Sequence, residues 1–368
     1  NGGAGTVVLK GPGATHGTLR VDNLGTAGQQ TVLPSLGSGT AENGTAGATL
    51  VTDRSATIPA YFAGHWVEIT RNGSLLGTWR IGTIADRTVT LAPNGAETIS
   101  LEADDLWQGV YRFDSVDVKG NAVLRSDDPV RVTTVNLTGP TTAGSYTEIT
   151  VPLVAETVSV TGNVSIPGIT ATNLTVKSGA KLTHPASTAT EARNLNLEVS
   201  GTLTIEDGGS IDVTGRGYPA GTTYAGATGS TEAGGSHIGT GGVRGSAAKP
   251  QTYGSVERPK EAGSGGWVSS ATTGGGVVRI EAGTLAFGGP AGSVTANGGG
   301  GWHQAGAGGS VWITAGTVTG DGLIEAAGGK GYYTSDPHGG GGAVAIEYGA
   351  ATGTALTRVN AKGGSGGS

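Results

Sequence analysis

Cysteine and methionine are both absent from the 368 residues. Without cysteine there is no disulfide framework and no thiolate metal site. Without methionine there is no initiator, so a processed chain or a stretch of a longer one is expected. Charge is scarce as well: Asp, Glu, Lys and Arg make up 14%, the net charge is −6, and no basic block occurs. Nucleic-acid binding needs a concentrated positive patch and is not expected. No apolar run approaches the roughly 18 residues that span a bilayer, so no membrane insertion is expected. Helical periodicity is missing too, which excludes helix as a major element.

What the chain has instead is glycine, 72 residues of it, with well over half after residue 215. Glycine-rich chains are usually of low complexity, but here there is a period. "GGGVVRIEAGTL" (274–285), "AGGSVWITAGTV" (307–318) and "GGGAVAIEYGAA" (340–351) align, with Ile280, Ile313 and Ile346 spaced by 33 residues. Each copy continues into a second short strand that ends in glycines. A fixed period of this kind signals a solenoid, in which each repeat buries its apolar face against its neighbours. The alternation of side chains along a strand assigns the faces. Val278/Ile280, Val311/Ile313 and Val344/Ile346 point inward. Arg279, Trp312 and Ala345 form one outward column, and Glu281, Thr314 and Glu347 the next. "GTLTIEDGGSIDVTGRG" from Gly201 matches "GTLAFGGPAGSVTANGG" from Gly283, which makes 158–217 part of the same stack and 215–273 a long insertion. The expected fold is all-β, a parallel β-solenoid.

"NGGAGTVVLKGPGATHGTLRVDN" at the start of the chain reads as a further copy, with Val7 and Leu9 inward. Placed after Ser368, it would fall close to the next period. This predicts a unit that wants a neighbour, as one period of a tandem array or as a protomer lending its first strand. Val7, Leu9, Val344 and Ile346 are the assembly residues. A different texture interrupts this pattern. "GHWVEITRNGSLLGTWRIGTIADRTVTLAPNG" carries a hairpin signal at Asn72-Gly73 and a turn at Asn94-Gly95. Trp66, Ile69, Trp79 and Ile81 are expected to fill the core of a small inserted β-barrel or sheet. The division that follows is 1–47 for terminal solenoid strands completing a neighbouring repeat, 48–108 for the insert, 109–214 for solenoid, and 215–368 for glycine-rich solenoid.

The glycine runs, such as "NGGGGWHQAGAGG" (297–309), recur at equivalent points of successive repeats. Chains without side chains can pack side by side in extended threefold helices, so an ordered polyglycine-II-like layer is expected. Tyr218, Tyr224, Tyr253, Trp267, Trp302, Tyr332 and Tyr333 sit within these runs. Their rings either close the layer or form a platform for sugars. With Arg279 and Trp312 on the outward column, Trp267, Trp302, Tyr332 and Tyr333 make up the possible contact surface.

Chemistry is sparse. "GGSGG" (363–367) and "GRGYPA" (215–220) meet a nucleophile-elbow and a dinucleotide pattern, but no helix follows either. The six histidines are scattered, His303 and His338 being the pair that stacking could bring together. No cofactor or metal is expected. Asp104, Asp105, Asp127 and Asp128 read as turn residues. Sequons at Asn43, Asn72, Asn136, Asn163 and Asn173 follow from abundant Thr and Ser. Glu281 and Glu347, two coils apart, would stand about 10 Å from each other, near the upper limit of about 9.5 Å for an inverting glycosidase pair.

"FAGHWVEITRNGSLLGTWRIGTIADRTVTL", "GVYRFDSVDVKGNAVL", "GTLTIEDGGSIDVTGRGYPAG" and "GGGVVRIEAGTL", in that order, resemble glycine-rich tandem-repeat modules of very large secreted or surface bacterial proteins. Some of those modules are adhesin-like and accompany Ig-like or Rhs-type regions. The resemblance implies an extracellular or cell-surface scaffold and transfers no functional residue. The expected function is structural: a repeat unit of an extracellular fibre or giant adhesin, assembling with itself into a stiff rod. The alternatives are an adhesin tip that binds glycans or a receptor, and a polysaccharide-degrading β-helix enzyme.

Overall fold

Short runs in which Val, Ile or Leu alternates with Thr, Ser or a charged residue favour strands with one buried face. The computed structural model, which describes residues 1–267, 272–301 and 304–365, contains such strands and no α-helix among those residues. Three strands open the chain: β1 (Thr6–Leu9), β2 (Thr18–Asp22) and β3 (Gln30–Leu33). Five follow in an insert: β4 (Ser38–Thr40), β5 (Thr49–Val51), β6 (Trp66–Arg71), β7 (Ser74–Ala85) and β8 (Thr88–Ala92). Long and short strands then alternate, beginning with β9 (Leu106–Lys119), β10 (Val123–Ser126), β11 (Val130–Thr138) and β12 (Thr147–Ile149). The alternation continues through β13 (Leu153–Thr161), β14 (Asn163–Ser165), β15 (Gly168–Val176), β16 (Lys181–Thr183), β17 (Asn194–Ile205) and β18 (Ser210–Asp212). It ends with β19 (Val277–Phe287), β20 (Ser293–Thr295), β21 (Ser310–Gly320), β22 (Leu323–Glu325), β23 (Ala343–Gly353) and β24 (Val359–Asn360).

The long strands stack in parallel from β2 through β9 to β23, and the short ones stack in parallel as a second, nine-stranded sheet from β3 to β24. Each long–short pair is one coil of a parallel β-solenoid. Register follows the repeat: Ile280 faces Ile313, which faces Ile346, and Leu203 faces Leu285, which faces Val318. The inward residues of all coils merge into one continuous core. A wholly shielded residue such as Ile313 contributes about 1.5–3 kcal/mol of apolar burial. Along the outward corner, Gly201, Gly283 and Gly316 stack. A Cβ on any of them would lie 2.6–2.7 Å from a carbonyl of the coil before, so the corner has room only for glycine.

The insert uses the first half of β9 as a strand of its own. In sheet order β4, β9, β6, β7, β8 and β5 are antiparallel neighbours, and a bridge between Ala41 and Thr52 stitches the two edges without closing a barrel. Asn72 (φ 51°) and Gly73 (φ 78°) both take the left-handed conformation that a two-residue hairpin turn demands. Ile69, Trp79 and Ile81 fill the insert core as expected, together with Trp107 and Phe62. Trp66 does not. It is three residues from Ile69 on the same strand, so the period of two places it on the opposite face. There the guanidiniums of Arg80 and Arg112 lie 4.4 and 4.8 Å from its ring centre.

The glycine segments form an ordered layer beside the later coils. The segment 304–309 runs through its middle. Ala305 and Gly308 donate to Pro337 and Gly340 of one neighbouring segment, and Gly306 and Gly309 donate to Gly299 and Ala296 of another. Ala307 donates to Ser264, while the carbonyls of Ala305, Gly306 and Ala307 accept from Gly235, Gly329 and Gly275. The segment thus bonds to six neighbours, and its donors return to the same neighbour every third residue. A β-strand alternates between two directions, so a repeat of three marks the threefold helix of polyglycine II. None of these glycines has positive φ. They are glycine for lack of space: a Cβ on Gly306 would fall onto the carbonyl of Thr273, and one on Gly308 onto that of Ala326.

Candidate assembly ends and the outward face

At the first coil, β1 pairs with β2 antiparallel, with Val8 opposite Leu19, Thr6 opposite Val21, Val7 opposite Arg20 and Leu9 opposite Thr18. Directly opposed residues share a face, and Leu19 and Val21 are in the core. Val8 and Thr6 are therefore on the core side, whereas Val7 and Leu9 face outward. The expectation that Val7 and Leu9 point inward does not hold. β1 is the first arm of a hairpin with β2, and its register sets Val8 and Thr6, not Val7 and Leu9, opposite the inward Leu19 and Val21. Nor does this segment stand apart from the chain's own stack, since β2 and β3 lie in register on β9 and β10. Val8 is 56% exposed despite its core-side position, because no coil covers it.

At the last coil, β23 pairs with β21 on one side. Val344 and Ile346 pack on the core half-buried. The next inward position carries Val199, Ala282 and Ala315 in successive coils and then Tyr348. Tyr348 is 51% exposed. The 3-10 turn Ala355–Thr357 lays Ala355 and Leu356 against part of the core end and leaves β23 uncovered. Both ends thus present an edge strand with core-side apolar residues in solvent. Natural edges are commonly guarded by Lys, Pro or a bulge, and Thr6–Leu9 carries none of these.

On the outward face the columns are as expected, Arg279 beside Trp312 beside Ala345. Arg279 lies over the Trp312 ring at 4.6 Å and pairs with Glu281, so this column satisfies itself rather than offering an open ring. Glu281, Thr314 and Glu347 occupy adjacent positions of the next column, and Glu198 precedes Glu281 on it. Glu198 was within reach of the sequence, since "NLNLEVSG" aligns with "VVRIEAGT" once the register of the following strands is extended. A shallow groove of about 560 Å³ runs over Glu198, Glu281 and Thr314. Glu198 accepts from Asn196 at 2.9 Å and Glu281 is held by Arg279. Both carboxylates are thus engaged on the face itself.

The layer's aromatics divide. Tyr218 is buried and Tyr253 stacks on Tyr224 at 5.1 Å. Trp267, 37% exposed, lies against Gly229, where a Cβ would meet its ring at 2.6 Å, so this ring covers bare backbone. Tyr332 and Tyr333 are half-exposed and meet edge to face at 4.8 Å. Trp302 and His303 lie outside the described residues. His338 accepts the Gly331 N–H through Nδ1 at 2.8 Å, and no cluster of potential metal ligands occurs among the described residues. Asp105 and Asp128 are more than turn residues. Asp105 takes Arg71 at 2.6 Å, and Asp128, wholly buried, accepts Ser35 Oγ, Leu36 N and Gly37 N at 2.7–3.0 Å. Burial works to raise the Asp128 pKa, but the His65 contact and these bonds outweigh it and hold the carboxylate low. No family model, curated protein or solved structure matches the chain.

Proposed function

We propose that the chain is a structural unit of an extracellular fibre or giant surface adhesin and stacks end to end with further copies of itself. The observation that carries this reading is the pair of open ends, with Val8 and Tyr348 on the core side and yet more than half exposed. Strand direction supports it as well. If β1 of a second copy paired antiparallel with β23, its β2 would run parallel to β23. With Val8 opposite an inward position of β23 such as Ile346, both cores would lie on the same side of one continuous sheet. Had β1 been parallel to β2, it would have added a plain tenth coil; as an antiparallel strand it can serve as the join.

The geometry of such a stack is specific. Ten strands of the long-strand sheet per copy, nine coils and β1, at about 4.8 Å each give an axial repeat of roughly 48 Å. The insert would project once per repeat. Electron microscopy of concentrated protein tests this. Rods with lateral knobs at that spacing are expected, and particles of a single chain length at every concentration would contradict it.

A further inference from the structure

Where the insert meets the first coils, a cavity of about 320 Å³ opens to solvent, within the lower range of small-ligand pockets, roughly 300–1,000 Å³. Two kinds of group converge on it. One is a set of rings held in place by one another: Tyr61 tilts on Phe62 at 4.8 Å, and His65 stands edge-on to Tyr111 at 4.6 Å. Tyr111 is fixed further by its hydroxyl, which donates to the Pro34 carbonyl at 2.5 Å. Tyr61 nevertheless leaves 69% of its surface in solvent. The result is a rigid aromatic wall with one face free.

The other is positive charge. Arg80 and Arg112 both lie against the Trp66 ring. Elsewhere in and beside the insert, Arg71, Arg87, Arg125 and Arg131 each have a carboxylate within 3.5 Å. Among the described residues, Arg80 has the Gly64 carbonyl at 2.9 Å and the Trp66 ring, Arg112 has the Trp66 ring, and neither pairs with a carboxylate. The adjacent carboxylate of Asp114 is occupied by the N–H groups of His16 and Gly17 at 2.9–3.1 Å. His16 joins the wall edge-on to Trp66 at 5.1 Å, and its shielded Nδ1 has no partner among the described residues. Burial first, then Arg112, lowers the His16 pKa, with the Asp114 carboxylate pulling the other way.

We propose that this pocket binds an acidic saccharide, its ring against Tyr61 and Tyr111 and its carboxylate between Arg80 and Arg112. The chemistry is that of a ligand with one apolar C–H face, polar edges and a negative charge. A flat ring covers the aromatic wall, and a planar carboxylate matches the guanidinium fork. Val8 of the open first coil also lines this pocket, so binding is measured at concentrations at which the chain is single.

Calorimetric titration of the full chain with trigalacturonate, maltotriose and triglutamate separates the possibilities. Trigalacturonate is expected to bind, to weaken roughly tenfold in Arg112→Gln, and to weaken with added salt. Maltotriose is expected to give no signal at the same concentration. Tyr61→Ala, at an exposed side chain, should weaken binding while leaving thermal unfolding unchanged. Arg112→Lys keeps the charge without the fork and should fall between wild type and Arg112→Gln. Equal binding of maltotriose, tighter binding of triglutamate, indifference to Arg112→Gln and Tyr61→Ala, or silence toward trigalacturonate at low-millimolar concentration would each overturn the proposal.

Discussion

Two residues show how narrowly the interior is set. His184 is wholly buried, with Nδ1 2.7 Å from the Pro185 carbonyl and Nε2 accepting the Val277 N–H at 3.2 Å. A carbonyl only accepts, so the proton sits on Nδ1 and the ring is neutral. Burial pushes its pKa down to about 4, against the Pro185 bond that favours the charged form. The folded value lies below the unfolded one of about 6.5. This stabilisation is therefore fully present above pH 6.5 and is lost as pH falls toward 4, by roughly 3 kcal/mol across that window. His237, also lowered by burial, acts with the same sign. Asp105, lowered first by its bond from Arg71, and Asp114, lowered first by the Gly17 N–H, lose stabilisation only below about pH 4. Urea midpoints across pH should fall between 6.5 and 4, and His184→Gln should flatten that slope; an unchanged slope would refute the assignment. Gly306 is the second residue. In Gly306→Ala the methyl has only the Thr273 carbonyl to occupy, and a cost of about 1–3 kcal/mol or more is expected in thermal or chemical unfolding. Gly5, with nothing within 4 Å of its missing Cβ, is the control: Gly5→Ala should be neutral or slightly stabilising.

At the scale of elements, the repeat made the coils legible. The 33-residue spacing places Ile280, Ile313 and Ile346 in one column, and each coil contributes the same inward pair. The glycine layer was legible in kind, from the recurrence of the runs, but not in its partners. Gly306 is bonded to Gly299 in its own run and to Gly329 in the run after it, and nothing in a side-chain pattern marks such pairs. Orientation was lost where a strand reverses or changes role. Val7 and Leu9 turned outward because β1 pairs back on β2 with Val8 opposite Leu19, and Trp66 left the insert core because parity separates it from Ile69. The pocket on Trp66 was not legible at all, since it draws on the first hairpin, β6, β7 and β9, which only the fold brings together. The layer makes a separate prediction. Amides of 305–309, though outside any strand but donating to defined carbonyls, should exchange with deuterium as slowly as those of β21. Exchange as fast as in an open loop would show that the layer does not hold.

On the scale of the whole molecule, the stack is a row of equivalent coils with two unequal open ends, one edged by the antiparallel β1 and the other by β23 with a single 3-10 turn against part of the core. Stability in such an array is a sum of coils and of the interfaces between them, so an end without a neighbour lacks one interface. Val344 and Ile346 are half-buried where Val311 and Ile313 are wholly buried, and a second copy docking on β23 would supply the difference. Sedimentation velocity over a concentration series, on the wild-type chain and on Val8→Lys and Tyr348→Lys, is the most direct measurement. Concentration-dependent growth from 36.0 kDa into elongated multiples, abolished by either substitution, is the expected result. A wild-type chain that stays at its single mass throughout, or multiples that persist in both variants, would contradict end-to-end stacking.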